Sequence, residues 1–150
     1  MKLKRILVLA LATGFGSGFF PLIPGTAGSL AAVLLYYFLP LGDQIWSLII
    51  LVTFFTGIWT GTFAEREYGK DPGVVVIDEF AGQWMSLLFL PVDLLTVSGG
   101  FVLFRTFDII KPFPANRAQK IKGGAGIMLD DLIAAVYTQV TLRLILFLLG

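Results

Sequence analysis

The chain contains no cysteine and no histidine among its 150 residues. Without cysteine there is no disulfide and no thiol nucleophile. Without histidine there is no imidazole base and no phosphohistidine, and the commonest zinc ligand is missing. Charge is scarce as well: Asp, Glu, Lys and Arg make up 14%, against about 25% in an ordinary soluble domain. So few charges cannot clothe a water-facing surface. With 57% hydrophobic residues and a mean hydropathy of +0.87, the composition is that of a polytopic membrane protein. A net charge of +1 leaves no electrostatic footprint for nucleic acid. Any chemistry must therefore use carboxylates, hydroxyls, Lys, Arg, backbone amides or a bound metal.

What is present centres on Asp71 to Trp84, Asp-Pro-Gly-Val-Val-Val-Ile-Asp-Glu-Phe-Ala-Gly-Gln-Trp. Asp71 is a capping residue type and Pro72 suits a first helical position, so this reading starts a helix there and runs it to about Leu90. Asp78 and Glu79 interrupt the apolar run side by side. Two carboxylates in a greasy helix are costly to bury without a cation, a base or water.

The N-terminal stretch has the basic start and short apolar core of a signal peptide, ending Ala10-Leu11-Ala12. That apolar core is short, and Gly14 to Gly18 runs straight into the next motif, so the segment is read as an interfacial or re-entrant helix. Phe19 to Ser29 holds two prolines and two glycines and reads as a structured loop feeding a helix over Leu30 to Leu39. Gly25-Thr-Ala-Gly-Ser29 would then sit at a helix N-terminus, where free N–H groups and the dipole favour an anion. Close helix packing also uses such small residues. Ile45 to Ala64, about 20 uncharged residues, is long enough to span. Ile77 to Arg105 reads as a hairpin of two short helices turning at Leu90 to Asp93. Arg105 and Asp108 share a helix face, Lys111-Pro112 ends that helix, and Gly123 to Gly126 reads as a flexible loop. Asp130-Asp131 opens a last span over Leu132 to Leu149.

Sidedness supports this layout. Every Lys and Arg except Arg143 precedes the first span, follows the second at Arg66 and Lys70, or lies between Arg105 and Lys122. In the hairpin arrangement these share one side, which the positive-inside rule makes cytoplasmic. The fold class is thus an all-α, polytopic membrane bundle in a single domain. It has about four membrane-crossing segments, a short helical hairpin and the N-terminal interfacial helix.

The same face gathers Asp71, Asp78, Glu79, Asp108, Asp130 and Asp131 with Arg105, Lys111 and the Gly25–Ser29 loop. Several carboxylates at one level cannot all stay ionised uncompensated. A hard divalent cation is their natural partner; Mg²⁺ commonly bridges one or two carboxylates to substrate phosphate. Arg105 and Lys111 complement phosphate. Capping by Asp130 or Asp131 and a plain Arg105–Asp108 ion pair would explain those residues singly, but not Asp78 and Glu79. Together the groups suggest chemistry on a phosphorylated lipid headgroup.

Four motifs now carry a resemblance: Pro-Gly-Thr-Ala-Gly-Ser-Leu from Pro24, Val-Ile-Asp-Glu-Phe-Ala-Gly from Val76, Phe-Arg-Thr-Phe-Asp-Ile-Ile-Lys-Pro-Phe-Pro from Phe104 and Gly-Ile-Met-Leu-Asp-Asp-Leu-Ile-Ala from Gly126. In this order the chain resembles the phosphatidylglycerophosphatase A family over about residues 14 to 140. The resemblance implies a Mg²⁺-dependent enzyme of the bacterial cytoplasmic membrane that hydrolyses phosphatidylglycerophosphate to phosphatidylglycerol and phosphate. No obligate protein partner is expected. Some relatives carry His near the position of Asp71; this chain has none, so no His takes part. On this reading Asp78, Glu79 and Asp131 hold the metal, with Asp130 or Asp108 as further ligand or base. Thr26, Gly28, Ser29, Arg105 and Lys111 hold the phosphate. Attack by water and attack by an Asp or Thr26 both remain open. The alternative is a small cation transporter or channel, which would need acids at mid-membrane depth. A cytidine-nucleotide phosphotransferase would show repeated aspartates in an Asp-Gly-rich run, and that pattern is absent.

Overall fold

A computed structural model describes residues 2–150. Helix α1 (Lys2–Ala12) leads through a single 3₁₀ turn at Ser17–Phe19 to α2 (Pro24–Phe38), which starts with proline in its first turn. The long α3 (Asp43–Tyr68), the short α4 (Ile77–Leu87) and α5 (Leu94–Ile110) follow, then the one-turn α6 (Ala115–Ala118) and the long α7 (Gly124–Leu149). Among the described residues there is no strand, so the all-helical expectation holds.

Helices α3 and α7, at 26 residues each, span about 39 Å. Both are long and apolar enough to cross a membrane, and among the described residues no other helix is. Two such helices stand where about four spans were expected, because the hairpin arms are short. α4 has 11 residues, about 16 Å, and α5 has 17, about 25 Å. The hairpin itself is present, turning through residues 88 to 93. Asp93 caps α5 by accepting the Thr96 backbone N–H at 2.9 Å. Leu48, Leu51, Phe55, Leu144 and Phe147 stand exposed along α3 and α7, as the lipid-facing surface of a membrane protein requires.

α4 is the centre of the bundle. It packs against α2, α3, α5 and α7, and nine of its 11 residues are buried. Its apolar face closes an aromatic stack: the Trp46 ring lies 4.6 Å from Tyr36 and 5.2 Å from Trp84, which meets Phe80 edge-on at 5.4 Å. The polar tips are satisfied. The Trp84 Nε1–H donates to the Ala32 carbonyl at 2.9 Å and the Tyr36 hydroxyl to the Leu87 carbonyl at 3.3 Å.

α4 does not begin at Asp71-Pro72. It begins at Ile77, and Asp71 takes a left-handed conformation, φ 48°. The intervening residues turn back on themselves: the Val75 N–H donates to the Pro72 carbonyl, and the Val76 N–H to Ala12 at the end of α1. A tertiary contact with α1 thus overrides the local cap signal. The opposite shift occurs in α7. The glycines read as a flexible loop form its first turn, so Asp130 and Asp131 lie in its second turn rather than at its start. The Gly123 N–H donates to the Glu65 carboxylate and the Gly124 N–H to the Thr62 hydroxyl at 2.9 Å, so α3 satisfies these two donors. Glu65 thereby caps α7 from α3. Gly124 packs directly on α3; a Cβ there would lie 2.2 Å from the Ile58 carbonyl oxygen.

Candidate active site

Four elements meet at one end of the bundle. The antiparallel hairpin sets the first turn of α4, with Asp78 and Glu79, beside the last turns of α5, with Arg105 and Asp108. The N-terminus of α2 and the second turn of α7 close the group. Lys111 follows α5 in a left-handed conformation, φ 47°, as the helix stops before Pro112.

Arg105 organises one half of the site, where Glu79, Asp108 and the α2 terminus meet. Its Nη1 donates to both Glu79 oxygens, at 2.7 and 2.6 Å, and to Asp108 Oδ2 at 2.8 Å. Glu79 also accepts the Ser29 hydroxyl at 2.7 Å, inside the protein. Both Glu79 oxygens are therefore engaged by Arg105 and Ser29. Gly25 allows the α2 terminus to approach this pair: a Cβ there would sit 2.3 Å from Glu79 Oε1 and 3.2 Å from Arg105 Nη2. The N–H groups of Gly25 and Thr26 lie in the first turn of α2, where helical geometry provides no acceptor. Thr26 is half-buried; Gly28 is buried against Val76, where it permits close packing of α2 on the start of α4.

Asp108, Asp130 and Asp131 form the other half. One carboxylate oxygen from each lies within 4.8 Å of the others, and all three residues are buried. Asp131 Oδ2 and Asp78 Oδ1 are buried with no hydrogen-bond partner. Asp78 is within electrostatic range of Glu79, Asp130 and Asp108. Lys111 Nζ binds Asp130 and lies 3.5 Å from Asp108. Burial works against the Lys111 charge, but the hydrogen bond and charge of Asp130, helped by Asp108 and Asp131, win and push its pKa above the usual lysine value.

The structure thus brings together Asp78, Glu79, Arg105, Asp108, Lys111, Asp130, Asp131 and Ser29, from four segments of the chain. Asp71 is exposed. Sequence reasoning passed over Gln83, one turn beyond Glu79, which is fully buried with neither amide atom hydrogen-bonded. Its signal was a lone amide between Gly82 and Trp84 in an apolar run.

A group of buried carboxylates, two with unpartnered oxygens, suits a hard divalent cation. An arginine beside free helix N–H groups suits a phosphate. That pairing is the machinery of phosphoryl chemistry, and relatives agree. The chain is 40% identical, across 100% of both chains, to a Bacteroides thetaiotaomicron protein with the provisional name phosphatidylinositol-3-phosphatase. It is 43% identical to Escherichia coli phosphatidylglycerophosphatase A over 84% of this chain and 76% of that one. It is 38% identical to the Haemophilus influenzae phosphatidylglycerophosphatase A over 92% of this chain and 90% of that one. No solved structure matches. The family model for phosphatidylglycerophosphatase A matches residues 10–146, which contain every residue of the site, and the chain belongs to the phosphatidylglycerophosphatase A family of membrane phosphatases.

Proposed function

We propose that this protein hydrolyses phosphatidylglycerophosphate to phosphatidylglycerol and inorganic phosphate, with Mg²⁺, at the cytoplasmic face of a bacterial inner membrane. The observation that carries this reading is the Arg105 side chain, held by Glu79 and Asp108 against the N-terminus of α2 and beside the buried carboxylates. The family membership supplies the substrate class.

The geometry favours a division of labour. Asp108, Asp130 and Asp131 would hold the cation, with the free oxygen of Asp78 as a further ligand or base. Glu79, expected among the metal ligands, instead orients Arg105 in this reading. A cation bound by these carboxylates supplies charge neutralisation for the phosphoryl oxygens. Arg105 and the first-turn N–H groups of α2 bind the non-bridging oxygens and stabilise the charge they gain during transfer. In one route a buried carboxylate takes the proton of the attacking water, the bond from phosphorus to the glycerol oxygen breaks, and that proton passes to the leaving oxygen. In the other a carboxylate is itself the nucleophile, the glycerol oxygen leaves with a proton from solvent, and water then hydrolyses the acyl phosphate to inorganic phosphate and the free carboxylate.

The transporter alternative is not supported. α3 between Gln44 and Ala64, α5 before Arg105 and α7 after Asp131 contain no acidic residue that would continue an ion path. Phosphatidylinositol 3-phosphate is the second substrate to examine, because the Bacteroides relative aligns along its full length.

The test measures phosphate release by the purified, reconstituted protein from phosphatidylglycerophosphate, with Mg²⁺ and with a chelator. Phosphatidic acid and phosphatidylinositol 3-phosphate serve as competitors. Preferred, Mg²⁺-dependent turnover of phosphatidylglycerophosphate is expected. Preference for either competitor would overturn the substrate assignment.

A further inference from the structure

Past Lys111 the chain carries Arg117, Lys120 and Lys122, and from Pro112 through Leu129 it has no acidic residue. All three cations are exposed, and among the described residues none forms an ion pair. Large apolar side chains stand among them, Phe113 at 61% and Ile121 at 47% exposure. The Arg117 guanidinium lies over the Phe113 ring, 5.0 Å from its centroid.

This segment is fixed in place. The Tyr137 hydroxyl donates to the Phe113 carbonyl, α6 packs on α7, and Gly126 backs onto the carbonyls of Ile121 and Ala118. It is therefore docked on the α7 turns that carry Asp130 and Asp131, at the end of the bundle where the site lies. Phe113 and Ile121 stand exposed together, and among the described residues none of the three cations has an acidic side chain as partner. At a bilayer interface the apolar side chains meet the acyl boundary, and the cations meet anionic headgroups.

We propose that Phe113 to Lys122 is a docking surface for anionic phospholipid headgroups of the leaflet on which the active site opens. The charge is complementary, and the apolar side chains fit a lipid rather than a soluble anion. The surface holds the catalytic end at headgroup depth and enriches anionic lipid, the substrate included, beside Lys111 and Arg105.

Two measurements on the full chain test this with the triple variant Arg117→Gln, Lys120→Gln, Lys122→Gln. The first does not depend on enzymatic activity. In neutral detergent, phosphatidylserine should raise the Tm of the wild type more than phosphatidylcholine does, and this difference should disappear in the variant. Equal shifts in the two proteins, or an equal shift with a soluble polyanion such as heparin, would overturn the lipid assignment. The second rests on the phosphatase reading above. In phosphatidylcholine proteoliposomes containing phosphatidylserine, the variant should show an apparent KM for phosphatidylglycerophosphate raised on the order of tenfold with kcat unchanged, and high salt should erase the difference. An unchanged KM would count against the proposal. Inactivity of the wild type would count against the substrate assignment and leave the Tm measurement to decide this one. Should the triple variant fail to fold, Lys120→Gln with Lys122→Gln, both exposed and between α6 and α7, should give part of both effects, and no effect would be decisive against it.

Discussion

Arg105 reaches Glu79 with a single nitrogen: Nη1 lies 2.7 and 2.6 Å from the two carboxylate oxygens and 2.8 Å from Asp108. Its Nη2 is left facing the α2 terminus at Gly25. Glu79 thus sets the direction of the guanidinium fork, which the proposed function assigns to the substrate phosphate. Lysine at position 105 offers a point charge without that fork. Arg105→Lys should lower kcat by about 10²–10³-fold, the usual cost of losing a transition-state donor, and added Mg²⁺ should not restore it. Steady-state kinetics across a Mg²⁺ series checks this.

Gly25→Ala tests the close approach of α2. The added methyl would stand 2.3 Å from Glu79 Oε1, so the Arg105–Glu79 pair or the helix end must move. Displacement of about 1 Å at a reacting centre costs roughly 10²-fold in rate. Activity should fall by about that factor while the Tm in detergent moves little. Loss of fold with the activity would assign Gly25 to packing instead.

Much of this was legible in the sequence, for identifiable reasons. Asp78 and Glu79 stood out because ionised groups are expensive in an apolar helix. Arg105 and Asp108 stood out because residues three apart share a face, and they form the ion pair that spacing predicts. Contacts between distant segments were not legible. The α4 start depends on the Val76–Ala12 hydrogen bond, and the α7 start depends on Glu65 and Thr62 of α3. The count of about four spans is not confirmed: α4 has 11 residues, largely covered by protein, and its length need not match a bilayer. Which carboxylate pairs with which cation is likewise set by tertiary packing, so Glu79 could not be told from Asp131 by position alone.

Lys111 makes a pH prediction. Its pKa lies above the ordinary 10.5, so the stability it contributes is fully present below that value and is lost as pH rises through the higher folded value. Between pH 7 and about 10 the charge at this position should not change. With metal removed by a chelator, wild type and Lys111→Arg, which cannot deprotonate in this range, should therefore show the same pH dependence of Tm. An alkaline fall in Tm below pH 10 that disappears in the variant would contradict this.

Trp84 ties three helices together through Tyr36 and Trp46 and donates to the Ala32 carbonyl. Trp84→Ala should destabilise the protein by about 3–5 kcal/mol, the usual cost of deleting a buried aromatic side chain. Trp84→Phe should cost much less, because it mainly loses the hydrogen bond, about 1 kcal/mol. Reversible unfolding in detergent measures both.

In the proposed function the buried acids divide into a cation-holding set and a phosphate-orienting one. Mg²⁺ titration by calorimetry on the wild type, Asp131→Asn and Glu79→Gln separates the two sets. Asp131→Asn should weaken Mg²⁺ binding by about tenfold or more, while Glu79→Gln leaves it near the wild-type value. Mg²⁺ affinity that collapses in Glu79→Gln and survives in Asp131→Asn would contradict it.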